Sequence, residues 1–191
     1  MYTVSSNKEN LVEINKSKFI GFLINVNNLD DINKHIKKIK DKYSDATHIC
    51  YAYKIDNIER FSDDKEPSGT AGKPILELLK KNSLDHTLAI VVRYFGGIKL
   101  GASNLLRAYV STINELIKES ALKPLIDLYK IRFKISYDKL NYVEKLNIHI
   151  TYKEFDELII LEALVNDDSL NIIKNISDDV IILDKIKSFL P

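Results

Sequence analysis

The sequence predicts an α+β chain of two domains, and three observations predict it. The continuous apolar run Leu88–Val92 (LAIVV) reads as a central strand covered on both faces, and a long stripe of helical period follows it. Beyond residue 124 the elements come in β-α-β-β-α-β order, the ferredoxin-like plan. Between these parts, Pro124 coincides with a change of charge. Residues 1–127 carry 19 Lys and Arg against 16 Asp and Glu, a net +3, whereas residues 128–191 carry 9 against 11, a net −2. The expected domains are 1–127 and 128–191.

Taken in order, Leu11–Val26 (LVEINKSKFIGFLINV) alternates loosely and reads as a strand pair or one bent strand. Leu29, Ile32, Ile36, Ile39 and Tyr43 then recur at helical spacing behind a cap at Asn28 or Asp30. The other face of that helix is rich in Lys and reads as solvated. Residues 46–55 (ATHICYAYKI) alternate as a strand, with His48, Cys50 and Ala52 on one face and Ile49, Tyr51 and Tyr53 on the other. Residues 60–74 read as loop, and Pro74 opens a short helix to Lys81. A long helix runs from about Ser103 to Glu119, its stripe made of Leu105, Leu106, Tyr109, Val110, Ile113, Leu116 and Ile117. In the second domain strands are expected near 131–137, 148–155, 157–165 and 179–184, with helices at 138–147 and 168–176.

Bulk properties narrow the class. At 191 residues, 45% hydrophobic and 29% charged, the chain has ordinary globular composition. A single cysteine, Cys50, rules out an internal disulfide and fits a reducing compartment. No apolar run approaches the roughly 20 residues of a membrane helix, and the first residues lack a signal-peptide core. A cytoplasmic location without membrane contact is the expectation. The net charge of +1 is far from that of a protein that coats nucleic acid, so any such role must rest on a local patch.

Two short segments concentrate the unusual residues. The chain has only four Arg (Arg60, Arg93, Arg107, Arg132) amid abundant Lys, and three of them flank two stretches that hold five of the six Gly. Arg is the residue for planar, bidentate contacts, so this placement is informative. The first segment, Arg60–Leu76 (RFSDDKEPSGTAGKPIL), contains Ser68-Gly69-Thr70-Ala71-Gly72 ahead of a Pro-started helix. Its backbone N–H groups and the helix N-terminus suit an anion. Asp63, Asp64 and Glu66 in the same segment suit turn capping, ion pairs with Arg60 or Arg93, or a hard cation. The second segment, Val91–Tyr109 (VVRYFGGIKLGASNLLRAY), delivers Arg93 and Tyr94 to Gly96-Gly97, then Lys99 and Gly101, with Arg107 one turn inside the helix. This is a generic phosphate-cradle layout without a nucleotide-binding fingerprint. Cys50 reads as a core residue, and His35, His86 and His149 have no metal-ligand spacing.

The strings SKFIGFL, DATHICYAY, RFSDDKEPSGTAGKPIL and RYFGGIKLGASNLLRAY resemble the YigZ/IMPACT family, in order and at family spacing, over roughly residues 13–120. The resemblance implies an N-terminal domain like the second domain of a small-subunit ribosomal protein, a β-α-β sandwich. It implies a C-terminal domain similar to the last domain of elongation factor G. It also implies a role in translation, the eukaryotic relative acting on a translation-stress kinase by occupying its co-activator. The expected function is a non-enzymatic regulator of translation that binds RNA, the ribosome or a translation factor through the two Gly/Arg-rich loops. An enzyme or sensor for a small phosphate-containing ligand is the alternative, and a pure protein-interaction module is a third reading. The expected contact residues are Arg60, Asp63, Asp64, Glu66, Ser68, Gly69, Thr70, Gly72, Arg93, Tyr94, Gly96, Gly97, Lys99, Gly101 and Arg107, with no catalytic residue, metal or cofactor. Two positions depart from the family pattern. Lys65 stands where Gly is usual, and Ser103-Asn104 replace a Gly pair common after KLG.

Overall fold

The computed structural model describes residues 1–177 and 179–189, which divide into two compact units, Met1–Pro124 and the part from Leu125 onward. The strands of the first unit are β1 (Tyr2–Val4), β2 (Lys8–Ile14), β3 (Ser17–Asn25), β4 (His48–Ile55), β5 (Ile58–Ser62), β6 (Thr87–Tyr94) and β7 (Leu122–Pro124). Its helices are α1 (Leu29–Lys42), α2 (Gly72–Lys81) and α3 (Ala102–Glu119). Strands β2-β3-β6-β4-β5 form one antiparallel sheet, and β1 pairs with β7.

Strand alternation sends two sets of side chains to opposite faces. Phe19, Leu23, Cys50, Ala52, Ala89 and Val91 pack with Ile75 and Leu79 of α2 and with Tyr109 and Ile113 of α3. Phe22, Ile24, Ile49, Leu88, Ile90 and Val92 pack with Ile32 and Ile39 of α1. The central strand β6 is buried from Thr87 to Arg93, the pattern its apolar run predicts for a strand covered on both sides. Helix α1 starts where its cap residue predicts, the Asn28 side chain accepting from the Asp31 amide at 2.9 Å.

The second unit holds β8 (Ile126–Ile135), a single 3₁₀ turn at Tyr137–Lys139, α4 (Leu140–Val143), β9 (His149–Phe155), β10 (Ile159–Val165), α5 (Asp167–Ile176) and β11 (Val180–Ser188). Its antiparallel sheet has the order β11-β8-β10-β9, and α4 and α5 close one face with Val143, Leu170 and Ile173 over Ile131, Phe133 and Leu161.

Several expectations need correction. Residues 60–74 are not all loop, because β5 pairs with β4 from Ile58 to Ser62 and carries Arg60. As a largely exposed edge strand it lacks the buried alternation that reveals strands in sequence. Helix α2 starts at Gly72, two residues before Pro74. Leu106 of α3 points outward, and Ala108 and Thr112 take buried places instead. The helix expected at 138–147 shrinks to the 3₁₀ turn and α4. After Val143 the bonds tighten to i→i+3, Lys145 N–H to Tyr142 and Leu146 N–H to Val143. No described helix is long and apolar enough to cross a membrane.

Because each unit has its own core cluster, a fragment of residues 1–124 is expected to unfold cooperatively by itself. Urea titration followed by circular dichroism tests this, and a broad, non-sigmoidal transition would show that the units depend on each other.

Candidate functional site

The first Gly-rich segment folds around its own carboxylates. Asp63 accepts from the amides of Gly69 (2.9 Å), Ala71 (3.1 Å) and Gly72 (2.7 Å). The anion site expected in this loop is therefore filled by the chain itself, the Asp63 carboxylate standing where an external anion was expected. Asp64 accepts from the Ile49 amide at 2.6 Å, and Thr70 donates to the Pro67 carbonyl at 2.6 Å. The Glu66 amide donates to the Asp63 carbonyl, closing a turn whose central residues, Asp64 (φ 42°) and Lys65 (φ 67°), both lie in the left-handed region. That is the mirror-image geometry that favours Gly. Gly72 allows α2 to approach β5, since a Cβ there would meet the Ser62 backbone oxygen at 2.6 Å.

Glu66, the third carboxylate, is buried among polar partners. One of its oxygens, Oε1, accepts from the Arg93 guanidinium (2.6 Å) and from the Tyr109 hydroxyl (2.7 Å). His48 places Nε2 at 3.7 Å from Oε2. The other ring nitrogen, Nδ1, is 2.7 Å from the Asp64 carbonyl, which can only accept, so the proton sits on Nδ1. The sheet register makes this cluster, because Phe19, Arg93 and His48 are direct cross-strand neighbours on the α2/α3 face. The Arg93 guanidinium lies 5.4 Å from the Phe19 ring and 5.6 Å from the Phe95 ring. Cys50 belongs to the same buried group, its thiol 3.1 Å from the Asp63 carbonyl and 3.5 Å from the Tyr109 oxygen. Burial pushes that thiol up to about 12 and raises the Tyr109 hydroxyl above its ordinary value. Cys50 is thus a protonated core residue at neutral pH.

The second Gly-rich segment crosses the same end of the sheet. Gly96 packs so close to the Lys16–Ser17 turn that a Cβ would sit 2.1 Å from the Lys16 carbonyl, and its amide donates to Ser17 Oγ at 3.1 Å. The two segments enclose a cleft of about 450 Å³, lined by Glu66 and Pro67 from the first and Arg93, Phe95, Lys99 and Gly101 from the second. Thr47 and His48 at the head of β4, and Leu100, Ala102 and Leu105 around the start of α3, complete it.

The expected contact residues therefore separate. Glu66, Arg93, Lys99 and Gly101 line the cleft. Asp63, Asp64, Gly69, Thr70 and Gly72 build the loop behind it, while Ser68 and Gly97 lie on exposed or half-exposed loop backbone near its tips. Arg60 stands apart: it pairs with Tyr53 across the β4–β5 edge, on the α1 face, and donates to the Glu59 carbonyl. Tyr94 also faces α1, its hydroxyl bonded to Asp45 at 2.8 Å. Arg107 lies on the exposed side of α3 and does not line the cleft. Ser103 and Asn104, which replace the family's Gly pair, lie in the first turn of α3. Sequence reasoning left out His48, Phe95 and Tyr109 as site residues. The signal for His48 was its alternation with Cys50, and Tyr109 was read only as part of an apolar stripe. Among the described residues no group of His, Cys, Asp and Glu is arranged to hold a metal ion.

Residues 15–117 match the Impact N-terminal domain family, and the chain belongs to the IMPACT family. It is 49% identical over 117 residues to the IMPACT family member YvyE of Bacillus subtilis, covering 60% of this chain and 54% of that protein. It is 40% identical over 141 residues to an IMPACT family member of Haemophilus influenzae, covering 70% and 68%. The chain thus spans about half the length of the Bacillus relative. A crystal structure of a hypothetical protein matches with a TM-score of 0.68 at 25% identity, covering 91% of this chain and 89% of that one.

Lys65→Gly relieves a left-handed residue and is expected to raise stability by about 0.5–1 kcal/mol, read from urea midpoints. Cys50 holds its proton more tightly folded than unfolded, so its contribution to stability is intact below about pH 9 and is lost as the unfolded chain ionises between about pH 9 and 12. Cys50→Ala is expected to flatten that alkaline decline by up to about 1.4 kcal/mol per pH unit. The native thiol is expected to resist alkylation at pH 8, and rapid modification of the folded protein would contradict the burial.

Proposed function

We propose that the protein is a non-enzymatic, cytoplasmic regulator of translation that binds RNA at the loop end of its N-terminal unit. The observation that carries this reading is the meeting of both Gly-rich segments at one cleft, with the exposed ring of Phe95 in its lining. Lys16, Lys18, Lys65 and Lys99 surround that end, are exposed, and form no ion pair among the described residues. Most acidic groups there are already engaged, Asp63 and Asp64 by amides, Glu66 by Arg93 and Asp45 by Tyr94, while Glu13 stands opposite Lys18 across β2 and β3. An exposed aromatic beside uncommitted cations suits single-stranded nucleic acid, where bases stack and phosphates meet lysine.

Family membership supports the link to translation through what the resemblance implies for the family as a whole. The β11-β8-β10-β9 order supports the ferredoxin-like reading of the C-terminal unit and its likeness to the last domain of elongation factor G. The likeness of the N-terminal unit to a ribosomal-protein domain belongs to the same proposal. A binding role is favoured over covalent catalysis because Cys50 is buried with a raised pKa. The size of the cleft, about 450 Å³, favours the second reading, a sensor of a small phosphate-bearing ligand.

Fluorescence anisotropy with a single-stranded oligoribonucleotide tests the first reading. Affinity is expected to fall steeply with salt, and Lys16→Ala and Lys99→Ala are each expected to reduce the log–log slope by about 0.7. Lys37→Ala on α1 is expected to leave it unchanged. Salt-independent or absent binding would remove RNA as the partner.

A further inference from the structure

The start of α3 opens onto the cleft. Gly101 and Ala102 both line it, and Gly101, the residue before the helix, has no side chain to bond the first amides. The first turn carries no acidic residue. Asn104 turns its side-chain amide back to the Leu100 carbonyl at 3.1 Å. The Leu105 amide bonds the Gly101 carbonyl, so the amides of Ala102, Ser103 and Asn104 are the unsatisfied donors that begin every helix. With the partial positive charge of an 18-residue helix, they favour an anion.

A second, independent feature lies on the floor of the same cleft. Arg93 is 5% exposed, and while one guanidinium nitrogen bonds Glu66, its Nε–H has no hydrogen-bond partner among the described residues. A buried donor left unpaired is unfavourable, and an acceptor bound beside the guanidinium would relieve it. The adjacent carboxylate does not repel an anion strongly, since Glu66 Oε1 already accepts from both Arg93 and Tyr109. Lys99 adds an uncommitted cation at the rim, and the exposed ring of Phe95 offers a flat apolar face beside it.

We infer that the cleft binds a phosphomonoester of nucleotide type, its phosphate at the amino end of α3 with Lys99 and Arg93 and its base against Phe95. This inference rests on the RNA reading and sharpens it: the phosphate is the 5′ end of an RNA strand or that of a free nucleoside 5′-monophosphate. The two sources present the same dianion to the same donors and are separated by experiment.

The test compares one oligoribonucleotide carrying either a 5′-phosphate or a 5′-hydroxyl, together with thermal shifts produced by a nucleoside 5′-monophosphate. Ala102→Asp is the diagnostic variant, because it places a carboxylate over the same amides at an exposed position and suits the helix dipole. Its melting temperature is expected to equal or exceed that of the wild type. The wild type is expected to prefer the phosphorylated end by about tenfold, whereas Ala102→Asp is expected to bind the phosphorylated and the hydroxyl ends with equal affinity. Equal affinity for both ends, or a preference that survives in Ala102→Asp, overturns the inference and leaves RNA binding itself standing. Stabilisation by the monophosphate that Ala102→Asp removes, without binding of either strand, supports the site and identifies the free nucleotide as its occupant, ending the RNA reading.

Discussion

Glu66 holds the loop end of the N-terminal unit together. Its carboxylate joins the first Gly-rich segment to β6 through Arg93 and to α3 through Tyr109, with His48 of β4 beside it. A buried ion pair of this kind contributes little net stability, but removing one partner leaves a charge without water or a counter-ion, at a cost of about 3–5 kcal/mol. The pair is better understood as fixing position. It sets where the loop of residues 63–71 ends and where α3 begins, and the cleft is the space left between them.

The two Gly-rich segments answer the same electrostatic problem in different ways. Ahead of α2, three backbone amides converge and the chain supplies its own anion in Asp63. Ahead of α3 the chain supplies Gly101 and no acidic first-turn residue, so the helix amides and Lys99 are left at the cleft while Arg93 is paired with Glu66. Asp63 and Asp64 of the first motif are thereby architecture, and of its acidic residues only Glu66 lines the cleft. Gly96 and Gly72 serve both segments, since each lets backbone approach where any Cβ would collide.

The C-terminal unit has a different surface chemistry. On the face of its sheet away from the helices, Lys130 and Arg132 pair with Glu162, and Lys134 pairs with Asp179. These cross-strand pairs cancel charge locally, consistent with the net −2 of residues 128–191. In the other unit Lys16, Lys18, Lys65 and Lys99 at the loop end form no ion pair among the described residues.

The sequence by itself determined the elements whose signal is periodic and buried: helix α1, the central strand β6 and the length of α3, while the structure decided between a strand pair and one bent strand for residues 11–26 and between Asn28 and Asp30 as the cap. Burial on one or both faces leaves a repeat that local reading detects. It also determined the family, because the two Gly-rich strings are long and specific. Only the tertiary structure decided what the polar residues in those strings do. Arg60, Arg93 and Arg107 are equivalent as letters, yet strand register sends Arg60 to the α1 face, the helical phase turns Arg107 outward, and only Arg93 reaches Glu66. Asp63 could likewise have held a cation or an arginine, and the convergence of three amides made it a cap. A polar side chain takes its role from whichever partner the fold brings within about 3 Å, and that partner is usually distant in sequence.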